Sequence, residues 1–377
     1  MFPIRRNLSL RAVLLLLSTA LIASSGFAQA LLPNDAEVPL CLADASWLDP
    51  LHVPPADIGS VGDSPGVPLD QQTNCGFHQF AWQWLLHLAQ PALRAAPTGA
   101  AVAPFAEGRV PRRWETLPIY AQTPNECDVL DTISTEPADV LADQIGQAGG
   151  NYVLYAQRTA AQAAAGYVNI VFALTHYNRT LCAATDATRF PTGAMELKTA
   201  WRQITDAEAP RYITLETEIE GVSATPVRLG LVGFHLMRST ETHPEFVWAT
   251  FEHVDNLPDC VDPQPAPATG WAFTSDAADA CLRGLAARAM HGKDTRGVVD
   301  CLDDAAFNAP TLTASGAAYD GTPQNLCRVY PDGVEPTRTE NNVRTLINLT
   351  SLNEHLTGPL GLLTQLTDGD PLAVLRN

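Results

Sequence analysis

Apolar positions in this chain recur with two different periods. In Phe77, Phe80, Ala81, Trp84, Leu85 and Leu88 they fall at i, i+3, i+4, i+7, i+8 and i+11, which predicts an amphipathic helix. Asn74 is placed to cap it and Pro91 to stop it. From Gly166 onward the period drops to two. Tyr167–Leu174 is rich in β-forming residues. Met195, Leu197, Thr199 and Trp201 alternate with Glu196, Lys198, Ala200 and Arg202, and Ile213, Leu215, Thr217 and Ile219 alternate with polar neighbours. The runs Pro226–Met237 and Glu245–Val254 flank a polar connection at Arg238–Pro244. Alternation with short polar links predicts an antiparallel β-meander with one buried face, spanning about 150–256.

The remaining stretches carry weaker periodicity. Residues 31–72 read as an extended N-terminal arm rich in Pro, Asp and Gly, and 91–125 as Pro-rich loop. Residues 137–148 predict a short helix, Ala160–Ala165 a helix or loop, Ser275–His291 a helix stopped by Gly292, and 339–356 a last amphipathic helix using Val343, Leu346, Ile347 and Leu352. The apolar, abrupt ending Pro371–Asn377 is expected either to be part of an element cut off there or to pair elsewhere. The fold class expected is therefore α+β: an antiparallel β-meander with flanking helices and long Pro-rich, disulfide-stapled loops. Residues 31–377 are read as one large domain, with 257–377 helical and loop-rich.

Residues 1–30 change this picture. Arg5, Arg6 and Arg11 precede the apolar run Ala12–Ile22, and Ala28-Gln29-Ala30 supplies small residues for cleavage, so a secretory signal cut after Ala30 is expected. The run is about half the ~20 residues a spanning helix needs. The body following it is expected in the periplasm or outside the cell, with no membrane span. All eight cysteines (Cys41, Cys75, Cys127, Cys182, Cys260, Cys281, Cys301 and Cys327) lie beyond the cut. An even number in an exported chain points to disulfides. Chain proximity favours Cys41–Cys75 and Cys127–Cys182, with the other four pairing among themselves.

Charge excludes one large class of partner. The chain holds 23 basic and 41 acidic residues, net −18. The three arginines of the first thirty residues meet no acid there, so the remaining 347 residues carry 20 basic and 41 acidic groups, net −21. Such a body repels phosphate backbones, and no nucleic-acid partner is expected.

Candidate chemistry concentrates in two stretches. The hairpin region 233–256 gathers His235, His243, Glu245, Glu252, His253 and Asp255. On a strand, His253 would share a face with Phe251 and Ala249, and Glu252 with Trp248 and Thr250. The helix 75–88 adds His78 and, one turn on, Trp82. The signatures H-E-x-x-H, Walker loop, G-x-G-x-x-G and C-x-x-C are all absent. No cofactor is predicted and no residue set is assigned to a metal. Trp82 and Trp248 are candidate ligand-binding contacts.

Several of these motifs also resemble those of an uncharacterised family of exported bacterial proteins. The matching segments are Cys75-Gly-Phe-His-Gln-Phe-Ala-Trp-Gln83, Glu196–Trp201, Leu231–His235, His243-Pro-Glu-Phe-Val-Trp-Ala-Thr-Phe-Glu-His-Val-Asp-Asn256 and Cys327–Asp332. The resemblance covers about residues 70–335 and implies an exported, motif-rich unit without an assigned activity.

Two functional expectations follow. The first is an exported protein, non-catalytic, acting by binding or as a structural component. The second is a metal-assisted hydrolase or redox protein, with His78, His235 and His253 as ligands and Glu252 as general base, which requires helix and hairpin to converge.

Overall fold

The period-two segments pair into one five-stranded antiparallel sheet: β1 Phe172–Tyr177, β2 Met195–Gln203, β3 Thr214–Ile219, β4 Ser223–Arg238 and β5 Val247–Glu252. The computed structural model describes residues 40–58, 74–92, 112–117, 154–184, 189–219, 223–259, 265–275, 298–300, 320–321, 323, 326–328 and 340–376. The expected signal at 1–30, the expected helix at 137–148, nearly all of the expected helix at 275–291, and Cys127, Cys260, Cys281 and Cys301 lie outside these residues.

The sheet is not a meander throughout. β2 pairs with β4 and not with β3, so the order is β1-β2-β4-β3, with β5 also on β4. The cause is the length of β4. Its sixteen residues present one edge to β2, while the other edge takes β3 along Ser223–Gly230 and β5 along Gly233–Arg238. The first strand also differs from expectation. The ladder begins at Phe172, because the chain before it leaves Gly166 at φ 82° and makes only an isolated bridge, Tyr155 to Ile170.

One residue of β4 is extra. Ala200 faces Gly233 but Trp201 faces Leu231, leaving Val232 unopposed. Such a bulge reverses the alternation. Leu229 and Leu231 share the face of Trp201, whereas beyond the bulge Phe234 and Leu236 take it over, opposite Thr199 and Leu197. Val232 itself turns into a second cluster with Val171, Ile204, Tyr212, Leu257 and Phe273.

Two helices cover the first face. The helix α1, Cys75–Ala89, buries Phe80, Trp82, Leu85, Leu86 and Leu88. Asn74 occupies the cap position without capping. It is left-handed (φ 56°), and its Nδ2 donates to Thr345 Oγ1 at 2.8 Å. The helix stops at Ala89 because Gln90, preceding Pro91, is forced to extended backbone (ψ 149°). The helix α2, Glu340–Thr357, buries Asn348, Leu352 and Leu356. It holds the N-terminal segment through Ser351, which accepts from Cys41 N–H and donates to Cys41 C=O, both at 3.1 Å. Cys41 is disulfide-bonded to Cys75, the first of the expected pairs, and Cys182 and Cys327 are also disulfide-bonded. The apolar C-terminal run returns Leu372 and Ala373 to the core. A short ribbon, β6 Val298–Asp300 with β7 Leu326–Arg328, reaches the sheet region through a bridge from Arg328 to Asp259. Among the described residues no helix is long and apolar enough to cross a membrane.

Candidate functional site

The segment His253-Val-Asp-Asn256 is a knot that closes the end of β5. Strand pairing ends at Glu252. The unopposed Val232 carbonyl then accepts two hydrogen bonds, from His253 N–H at 3.1 Å and from Asn256 Nδ2 at 2.8 Å. The His253 ring does not join Phe251, which packs on Trp82 at 4.9 Å. It stacks instead on Tyr212, in the second cluster. Its Nε2 lies 2.8 Å from the Arg211 carbonyl and its Nδ1 accepts from Asp255 N–H at 3.1 Å. These partners select the neutral ring protonated at Nε2. Burial holds His253 below the ordinary imidazole value, outweighing the Arg211 carbonyl and the Asp255 carboxylate, which pull the other way.

The same knot contains two ion pairs. Arg211 grips both Asp255 oxygens, at 2.7 and 2.8 Å. Arg202, fully buried, donates from Nη2 to Glu208 at 2.6 Å and to Tyr212 Oη at 2.9 Å. Burial raises the Glu208 carboxyl, but the Arg202 charge and the Thr205 N–H outweigh it and hold the group below its ordinary value. The two carboxylates and both His253 nitrogens are committed to partners within the fold, while Arg202 Nε and Asn256 Oδ1 are buried without one among the described residues. A buried imidazole with both nitrogens committed to backbone is a structural element, not an available base.

The other sequence candidates are dispersed. His235 lies on the opposite face of β4 from Phe234 and Leu236, so it points away from the face that α1 covers. His78 lies on α1. Glu252 pairs with Arg328 Nε at 2.5 Å, joining the hairpin to the Cys327-Arg328 segment. Helix and hairpin do meet, but through rings, at Trp82–Phe251 and at Phe77–His243 (5.0 Å). The expected ligand set of His78, His235 and His253 with Glu252 is therefore not assembled. Among the described residues no three His, Cys, Asp or Glu side chains could hold one metal ion. Trp82 is corrected as a ligand contact: it is 7 % exposed, and its Nε1 donates to Asn353 Oδ1 at 2.9 Å.

Trp248 is different. It is 59 % exposed, and of the seven tryptophans it alone is classed with the exposed residues. It ends a row of rings on the outer face. Phe190, 42 % exposed, lies 4.4 Å from Phe246, which lies 6.4 Å from Trp248 at 84°. His235 lies 5.5 Å beyond and bonds to Thr250 Oγ1 at 2.6 Å. Burial, and the Lys198 ammonium beside it, lower the His235 pKa. Phe246 has φ 78°, a strained conformation for a bulky residue. Exposed Glu241, Glu245 and Glu252 lie on the same connection and strand. Alternation alone marks Trp248, an aromatic among the polar Thr250 and Glu252. Nothing in the sequence marks Phe190, which arrives from the turn before β2.

Compared with protein-family models, with curated proteins and with solved structures, the chain matches none.

Proposed function

We propose that the chain is an exported, disulfide-stapled protein that acts by binding, and that the outer face of the β4–β5 hairpin takes a polypeptide presenting Lys or Arg side chains. Under this reading residues 1–30 are its secretory signal, it works in the periplasm or outside the cell, and it belongs with the exported bacterial proteins whose motifs it shares. Its long Pro-rich connections act as stapled bracing around a single α+β domain.

The observation that carries the reading is the exposed ring row ending at Trp248. Isolated surface aromatics need no explanation, but a contiguous row held by a strained backbone does. Ring faces attract cations. The flanking carboxylates and the net charge of −18 favour cationic partners over anionic ones.

The test is a titration of the purified full chain with a hexa-arginine peptide and with a length-matched Gly-Ser peptide, followed by tryptophan emission. A saturable change with hexa-arginine, weakened by salt and lost in Trp248→Ala, is expected. An equal response from Trp248→Ala, or from the uncharged peptide, overturns the reading.

A further inference from the structure

Arg238, the last residue of β4, is a cation with no carboxylate paired to it among the described residues. Four other arginines of the fold, Arg202, Arg211, Arg228 and Arg328, each have a carboxylate oxygen at 2.7 Å or less. It lies across from Met195 on one side and Val247 on the other, on the face opposite the ring row, and it is half-buried. Its guanidinium carbon sits 3.9 Å from the centre of the Trp84 ring. Of the five N–H donors of a guanidinium, one is spent, from Nη1 to the Gly193 carbonyl at 3.2 Å. Nε is buried with no partner, and Nη2 makes no hydrogen bond to any described residue.

The neighbourhood is basic as well. His87 stands 5.6 Å from Trp84, ring to ring, and Arg113 Nη1 lies 2.7 Å from its Nδ1. Burial first, then the charges of Arg113, His52 and Arg238, push the His87 pKa down. Burial lowers Arg238 to about 10, which still leaves it charged at neutral pH. A strongly acidic chain has thus set an arginine and a histidine against one aromatic ring, with no carboxylate paired to the arginine among the described residues.

We propose that Arg238, seated on Trp84 and flanked by His87, anchors a binding site for a small oxyanion, either a carboxylate or a phosphate. The anion supplies the missing charge and accepts from the Nη2 donors, and the Trp84 ring under the guanidinium holds it ready. This site is independent of the ring row around Trp248 and does not rest on the function proposed for that row.

The experiment is thermal melting and calorimetric titration of the disulfide-bonded full chain with sodium phosphate and with sodium acetate, at constant ionic strength balanced by chloride. A saturable rise in Tm with either anion is expected, and the anion that saturates identifies the source. Arg238→Met should abolish it. Arg238→Lys should weaken binding by about tenfold or more, because an ammonium keeps the charge but loses the planar fork. No saturable response from the wild type to either anion overturns the proposal, whether or not the Met variant folds. So does an equal response from Arg238→Met. If Arg238 merely braces Trp84, Arg238→Met lowers Tm in chloride alone while neither anion moves the wild type, and the proposal fails.

Discussion

His253 lies flat on Tyr212, with ring centroids 3.9 Å apart and planes 11° from parallel. Tyr212 closes the loop before β3 and His253 follows the end of β5, so this one stack joins two strands that sit end to end on the same edge of β4. The bulge at Val232 makes room for it, and its carbonyl fixes both His253 and Asn256.

Stability should therefore depend on the His253 proton. A histidine whose folded pKa is depressed binds its proton more readily when unfolded. Its contribution is complete above the ordinary value of 6.5 and is lost as pH falls below that toward the folded value. His87, His176 and His235 are shifted in the same direction and add to the slope. Tm should fall between about pH 7.5 and 5.5, across the imidazole range. His253→Phe keeps a stacked ring but orphans the Arg211 carbonyl and the Asp255 N–H, costing about 2 kcal/mol at pH 7.5. It should also flatten the slope in melts run across this range. An unchanged slope would show that another histidine governs it.

Glu208 is the counter-charge of a fully buried Arg202, 2.6 Å away. Glu208→Ala leaves that guanidinium uncompensated and should cost about 3–5 kcal/mol in urea unfolding. The double replacement by Met at 202 and 208 should recover much of the loss, because it removes the charge together with its partner. In the wild type the pair's contribution is present above the ordinary carboxyl value and is lost as pH falls through the depressed value of Glu208.

The Cys41–Cys75 bridge closes a separation of 34 residues. Chain-entropy arguments give about 3–4 kcal/mol for such a loop. Cys41→Ala/Cys75→Ala should be destabilised by that amount in denaturant melts. The loss should loosen α1 from the N-terminal segment, since Gln79 Nε2 donates to the Leu42 carbonyl just beside the bridge. Amide exchange should rise first around residues 41–48.

Trp82 and Trp248 should separate cleanly under mutation. Trp82 fills the space between α1, α2 and Phe251, so Trp82→Ala should cost about 3–5 kcal/mol. Trp248→Ala touches only the exposed row and should stay within about 0.5 kcal/mol of wild type. Equal destabilisation in parallel thermal melts would assign Trp248 a packing role and remove it as a contact residue.

Much of the architecture was legible in the residues. The helical stripe from Phe77 to Leu88 matches α1, the alternations over 195–202 and 212–219 match β2 and β3 within two residues, and the stretch 339–356 matches α2 within a residue at each end. Trp248 also stood out, as an aromatic on a polar alternation. Phe190 and Tyr212 did not, because each meets its partner only across the fold.

The candidate cluster shows where sequence stops. Period-two patterning determines which residues alternate along one strand, because successive side chains must point to opposite faces. It does not determine which strands pair, in what register, or where an extra residue enters. Pairing β4 with both β2 and β5, and bulging it at Val232, is decided by how the two apolar faces can be filled at once. That choice sends His235 to the outer face and the His253 ring to Tyr212, although they lie within 19 residues of chain. The same choice leaves Arg238 on Trp84 with no paired carboxylate among the described residues. Spacing along the chain brought the histidine and glutamate candidates to attention, and tertiary packing decided which of them meet.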